Sequence, residues 1–179
     1  MFELPVFRRG FAQLKHYDLS FDAWIFHTQL DELYDLVRFA PEVPVVLNHA
    51  GGPLGIGPFV GLRREVLEAW EKAIGRLAEC PNVHVKLGGL QMALSGFRWH
   101  ERSLPPTSVE LAQAARPYIM YCIDCFGVDR CMFESNFPVD KVSSSYNVLW
   151  NSFKRLTENF SHAERESLFR LTAELFYRI

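Results

Sequence analysis

Apolar positions along this chain follow two rhythms in turn. Short strand-like apolar runs, stopped by polar residues or glycine, alternate with longer stretches in which apolar residues return every three or four positions. Residues 5–17 (PVFRRGFAQLKHY) have the helical rhythm with proline near the start, which predicts a short amphipathic helix. LSFDAWIF, residues 19–26, reads as a strand ending at His27. Leu30, Leu33, Leu36 and Val37 share one face of a helix over 30–39. Val45, Val46 and Leu47 form a second strand, ended by Asn48 and His49 and followed by the glycine-rich GGPLGIGP. A helix over 63–79 carries Val66, Leu67, Trp70, Ile74 and Leu77, and NVHVKL at 82–87 is a third strand running into Gly88 and Gly89.

Residues 91–107 read as a long excursion that holds Phe97, Trp99 and His100 and stops at Pro105-Pro106. A helix over 108–126 follows, with Thr107 or Ser108 as its cap, Gly127 at its end, and a kink or break expected at Pro117. Residues 130–133 are the fourth strand, 134–144 its loop, and 146–159 a helix. Ser161 and Glu164 make a capping box, and a last short helix covers 173–177.

Strands alternating with helices imply an α/β fold built on a parallel sheet with right-handed crossovers. No linker divides the 179 residues, so 1–179 reads as one domain. A hydrophobic share of 49% excludes disorder, and a net charge of -2 argues against a nucleic-acid partner. No apolar run approaches the ~20 residues of a membrane span, and the amino terminus has no signal-peptide core, so the expectation is a cytoplasmic protein without membrane contact. Cys122 and Cys125 have C-x-x-C spacing but sit inside the helical pattern YIMYCIDCF, which makes them helix-face thiols.

In a parallel sheet every strand ends on the same side, so His27, Asn48, His49, Lys86, Glu134 and Asn136 are expected at one mouth. His27 either caps the next helix or lines that mouth. Lys86 shares parity with His84 and needs an anionic partner, for which Glu134 is the candidate. His84, a layer deeper, reads as a core histidine, and Arg98 and His100 lie in the long loop.

VPVVLNHAGGP, NVHVKLGGL and FGVDRCMFESNFPVDK resemble, in order and spacing, the carboxyl-terminal half of amidohydrolase family 2, the TIM-barrel hydrolases related to 2-pyrone-4,6-dicarboxylate lactonase. The resemblance implies strand–helix units five to eight of a barrel that is incomplete in this chain. It implies water attack on a carbonyl of a small substrate, such as a lactone, with His49, Glu134 and Asn136 as catalytic residues. The strand before His49 can supply another group to the site, here His27 as a substrate-binding residue; on charge chemistry alone, Lys86 or Arg98 would bind a substrate carboxylate.

Two departures stand out. Asn136 occupies the position of the family's catalytic or metal-binding Asp, and a neutral amide is neither a general base nor a good zinc ligand. Glu134 or Asp140 is the nearby substitute. The family's first-strand His-x-His pair is absent, so no metal site is expected here, although the intact family member can use zinc. The alternative is an inactive half-barrel that self-associates or pairs with an amino-terminal half as a structural subunit. A phosphate-binding loop is disfavoured, because neither G-x-x-x-x-G-K-[ST] nor G-x-G-x-x-G occurs.

Overall fold

Four short strands form one parallel sheet in chain order: β1 (Phe21–Ala23), β2 (Val45–Leu47), β3 (Val83–Leu87) and β4 (Cys131–Phe133). Their register pairs Phe21 with Val45, Val45 with Val83, and Val85 with Cys131. The computed structural model describes every residue from Met1 to Ile179. Parallel neighbours need long crossovers, and α2 (Leu30–Phe39), α3 (Arg63–Ala78) and α4 (Ser108–Phe126) supply them. α1 (Pro5–Gln13) precedes the sheet. α5 (Tyr146–Leu156), α6 (His162–Glu166) and α7 (Thr172–Tyr177) follow it, the last two joined by a π-helical turn. No helix is long and apolar enough to cross a membrane.

Two expectations need correction. β1 is three residues long, because β2 turns away after Leu47 and leaves Trp24, Ile25 and Phe26 without a ladder partner. The chain there is held instead by the His27 N–H, which donates to the Gly52 carbonyl at 3.2 Å. α4 is not broken at Pro117 and runs on to Phe126. Its start is fixed by the Thr107–Glu110 capping box, and its buried side, with Leu111, Ile119 and Cys122, outweighs one missing N–H.

Side-chain parity sorts the sheet into two faces. Val45, Leu47, Val83, Val85, Leu87, Cys131 and Phe133 point at the helices and join a core of 33 buried residues that includes Leu33, Trp70, Ile74 and Ile119. Asp22, Val46, His84, Lys86 and Met132 alternate with them and occupy the other face. There Val46 and Met132 are buried beneath Phe176 of α7, with Ala173 and Tyr177 beside them. The last helix is therefore a cover for the second face.

Two side chains fasten the ends of the sheet. The Arg130 guanidinium donates to the carbonyls of Ala78, Cys80 and Phe126, each at 3.0 Å, and closes the ends of α3 and α4 on the lower edge. At the upper edge, buried Trp70 of α3 donates its indole N–H to the Ala50 carbonyl at 2.7 Å, just after β2. Trp70→Phe leaves that carbonyl without its donor, an expected loss of about 1–3 kcal/mol. Trp150, whose indole N–H has no partner, is the control. Urea unfolding followed by circular dichroism should show a larger drop in midpoint for Trp70→Phe than for Trp150→Phe.

Candidate active site

The chain leaves β2 through an unusual turn. His49, Ala50, Gly51 and Gly52 all have positive φ, at 55°, 49°, 72° and 53°. Non-glycine residues pay roughly 1–3 kcal/mol for this conformation, so other contacts must hold His49 and Ala50 there. Trp70 holds Ala50, and Glu134 holds His49. One carboxylate oxygen of Glu134 accepts from the His49 backbone N–H at 3.0 Å and meets its Nδ1 at 2.5 Å. The two side chains are 14% and 16% exposed, which leaves the pair largely desolvated yet open to the mouth. With the Nδ1 proton donated to Glu134, Nε2 is the free acceptor.

The pair fits only because β3 ends in two glycines. A Cβ on Gly89 (φ 66°) would stand 2.5 Å from His49 Nδ1, and one on Gly88 would stand 2.3 Å from the Glu134 carbonyl oxygen. Both distances are shorter than real contacts, so NVHVKLGGL leaves a gap that the residues after β2 and β4 fill.

Behind the pair lies a buried polar cluster. Asn136, also at positive φ (52°), donates from Nδ2 to Asp140 Oδ1 at 3.0 Å. Ser143 and Ser144 donate to the backbone and side-chain oxygens of Gln91, at 2.8 and 2.6 Å. Asp140 is wholly buried and its Oδ2 has no partner. Burial raises its pKa to about 6, against the opposing hydrogen bond from Asn136 and the nearby His49 ring, while Glu134 adds to the rise.

The remaining sequence candidates are spread around this centre. His27 is buried at the start of the turn after β1, where its Nδ1 accepts from the Leu54 N–H at 3.3 Å and its ring lies 4.8 Å from Phe59. Burial pushes its pKa below the usual imidazole value, against a contact with Gly52. Lys86 does not pair with Glu134, which is taken by His49. Its ammonium meets Asp22 at 2.8 Å and lies over the Tyr177 ring at 5.1 Å. Burial works against that charge, but hydrogen bonds with Asp22 and Tyr177 outweigh it and raise the pKa. His84 packs its ring 4.8 Å from Phe176 and leaves Nδ1 without a partner. Arg98 is exposed and bound by Glu101.

Trp24 escaped the sequence reading. Its ring stands edge-to-face with His49, centroids 4.4 Å apart, and it is 44% exposed at the mouth. Its parity with Asp22 was the available signal. The partner of Lys86 was hidden too, because Asp22 and Tyr177 lie 64 and 91 residues away in the chain.

Nowhere in the chain do three His, Cys, Asp or Glu side chains gather closely enough to hold a metal ion. His49 Nδ1 is engaged by Glu134, His27 Nδ1 by a backbone N–H, and Asn136 is an amide. These donors alone do not fit a zinc centre.

Parallel strands in chain order, joined by helices and carrying polar side chains at their carboxyl ends, are the pattern of part of a parallel (β/α) barrel. The chain belongs to the amidohydrolase family, whose model it matches over residues 2–179. It is 41% identical to the protein y4mH of Sinorhizobium fredii, over 98% of this chain and 52% of that one. It is 30% identical to an L-fucono-1,5-lactonase of Burkholderia ambifaria, over 79% of this chain and 42% of the lactonase. An amidohydrolase of Burkholderia multivorans with bound zinc superposes with a TM-score of 0.84 at 28% identity, covering 99% of this chain and 59% of that one. The chain thus spans about half the length of the curated relatives it matches, and its four strand–helix units are part of a TIM barrel.

Asp140 gives the site a pH signature in stability. An ordinary Asp, at 3.8, ionises before this one does at about 6, so the folded state holds the proton more tightly. The neutral carboxyl stabilises the fold fully below pH 3.8, and that advantage is lost as pH rises to about 6. At about 1.4 kcal/mol per pH unit the penalty reaches about 3 kcal/mol above pH 7. Asp140→Asn should therefore gain on the unmodified chain between pH 4 and 7, then stay level. Unfolding curves at pH 4, 5.5, 7 and 8 measure this, and a pH-independent difference would refute it.

Proposed function

We propose that this chain carries the water-activating side of a lactone hydrolase. The observation that carries this reading is the His49–Glu134 pair, held in a strained turn at the carboxyl end of the sheet and admitted by two glycines. His49 Nε2 takes a proton from water as the oxygen attacks the lactone carbonyl carbon. Glu134 accepts the Nδ1–H, fixes the tautomer and stabilises the imidazolium formed in that step. The tetrahedral intermediate collapses with cleavage of the ring C–O bond. The leaving alkoxide receives the proton back from Nε2, and the product is a hydroxy acid. Asn136, turned by Asp140, orients the reacting water or carbonyl, and His27 lines the substrate side. The zinc bound by the similar Burkholderia structure finds no complete ligand set among the residues of this chain.

The 30% identity to the L-fucono-1,5-lactonase supports a lactone as the substrate class. Lys86 and Arg98 already hold carboxylates of the chain itself, so they bind a substrate carboxylate only by giving these up. The test is hydrolysis of a lactone panel by the chain, alone and co-expressed with the amino-terminal half of an L-fucono-1,5-lactonase. The assembled form should open a lactone, and His49→Ala should lower the rate at least ~100-fold, as loss of a general base does. Undiminished turnover in His49→Ala would sink the reading.

A second reading rests on exposed apolar side chains in the segments next to β1 and β4, the two outer strands of the sheet. Leu19 before β1 is 51% exposed, and Val139 and Val142 after β4 are 55% and 66% exposed. These edges suit further strand–helix units, from a second copy or from an amino-terminal half, with 1–179 as the carboxyl-terminal portion of the domain. Sedimentation of the purified chain should show concentration-dependent self-association. A single monomeric species at every concentration would remove this reading.

A further inference from the structure

A groove opens between the two longest connections of the fold, residues 48–62 after β2 and residues 88–107 after β3. It encloses about 450 Å³, within the range of small-molecule sites. Its walls are locked together at two glycines. The Gly55 N–H donates to the Leu94 carbonyl at 2.8 Å, and a Cβ on Gly55 or Gly96 would lie 2.5 or 2.3 Å from the backbone opposite. One wall is apolar, with Leu54, Ile56 and Phe59. The other carries Arg63, Arg98, His100 and Glu101.

The charges in this groove are not equivalent. Glu101 binds Arg98 and lies 3.7 Å from His100, so its carboxylate is spent on them. Arg63 is left without a carboxylate, for its helix neighbour Arg64 takes Glu65 and Glu68. The Arg63 guanidinium is nonetheless fixed. It lies over the Phe97 ring at 4.0 Å and donates one N–H to the Ser95 carbonyl at 3.3 Å. Phe97 in turn stacks on Trp99, and the Arg102 guanidinium lies 5.3 Å from the Trp99 ring centroid. An exposed cation held over a ring and by one backbone carbonyl, with N–H donors to spare, gives up less rotamer freedom when it binds an anion.

We propose that this groove is a subsite for the carboxylate of a small organic acid with an apolar body, and that Arg63 takes its charge. The carboxylate pairs with the guanidinium while the body lies along Leu54, Ile56 and Phe59. The groove adjoins the turn after β1, since the Leu54 N–H donates to His27 Nδ1 and Phe59 packs on the His27 ring. For its place in the reaction the proposal rests on the hydrolase reading, with the occupant as the carboxylated end of the substrate. The subsite itself is built wholly from this chain.

Binding without turnover tests it. Nitrogen-15 NMR titration of the chain with benzoate should give saturable shifts at Leu54, Ile56 and Phe59 and at the Arg63 side chain. Benzamide, of the same shape without the charge, should bind at least roughly tenfold more weakly, the worth of a charge-assisted pair. Arg63→Gln should weaken benzoate by a similar factor, Arg63→Lys by less, and Arg98→Gln by under about threefold. Equal binding of benzoate and benzamide, or unchanged affinity in Arg63→Gln, would overturn the proposal. So would inorganic phosphate binding as well as benzoate, which marks a plain anion site. Failure of the lactone assay with benzoate binding intact would remove the hydrolase reading and leave the subsite standing.

Discussion

The upper edge of this fold depends on space that two glycines leave empty. Gly88 and Gly89 end β3 without side chains, and into that gap come the His49 ring from after β2 and the Glu134 carboxylate from after β4. The contact joins three consecutive strands at their carboxyl ends, across 85 residues of chain. It also stabilises a left-handed turn that His49 and Ala50 would otherwise leave. Strain at a functional position persists when its surroundings over-determine it. Here the surroundings are Glu134 on one side and the Trp70 indole on the other.

Much of this was legible in the sequence, because period-2 and period-3.6 apolar patterns do not overlap in this chain. The helix over 30–39 and the cap at Thr107 come out as read, and the other helices differ mainly at their ends. His49 and Glu134 were legible as mouth residues, since each follows an apolar run. Their mutual contact was not, because a strand pattern fixes which face a side chain takes and not which neighbour across the sheet it reaches. Lys86 shows the same limit. Its parity with His84 holds, but its anion comes from β1 and not from β4, since Glu134 was already committed. The length of β1 was misread because LSFDAWIF alternates like a strand beyond the point where β2 still offers a partner.

The carboxyl terminus matters more than its sequence suggests. Five residues of weak helical pattern hide the role of α7, which lays Phe176 on Val46 and Met132 and brings Tyr177 to Asp22 and Lys86. The second face of the sheet is thus neither a bare apolar surface nor a plain polar one. It carries a small apolar patch under an aromatic cap and an ion pair beside it. That lowers the cost of an uncovered face by about 25 cal/mol for each Å² of apolar surface removed from water. Leu19, Val139 and Val142, at the margins of the sheet, stay outside this cover.

Asn136 raises the last question of chemistry, because an amide stands where the family pattern has an acid. The acids are displaced, not lost. Glu134 lies two residues before Asn136 and Asp140 four after, and the two differ in what surrounds them. Glu134 meets both the backbone N–H and the ring Nδ1 of His49. Asp140 is wholly buried, and its pKa is raised to about 6. Glu134 meets the His49 ring, and Asp140 accepts from the amide of Asn136, which lies between the two acids in the chain. Asp140 Oδ1 accepts from Asn136 Nδ2 at 3.0 Å, so the amide meets the buried acid through its nitrogen and has its carbonyl oxygen left for other partners.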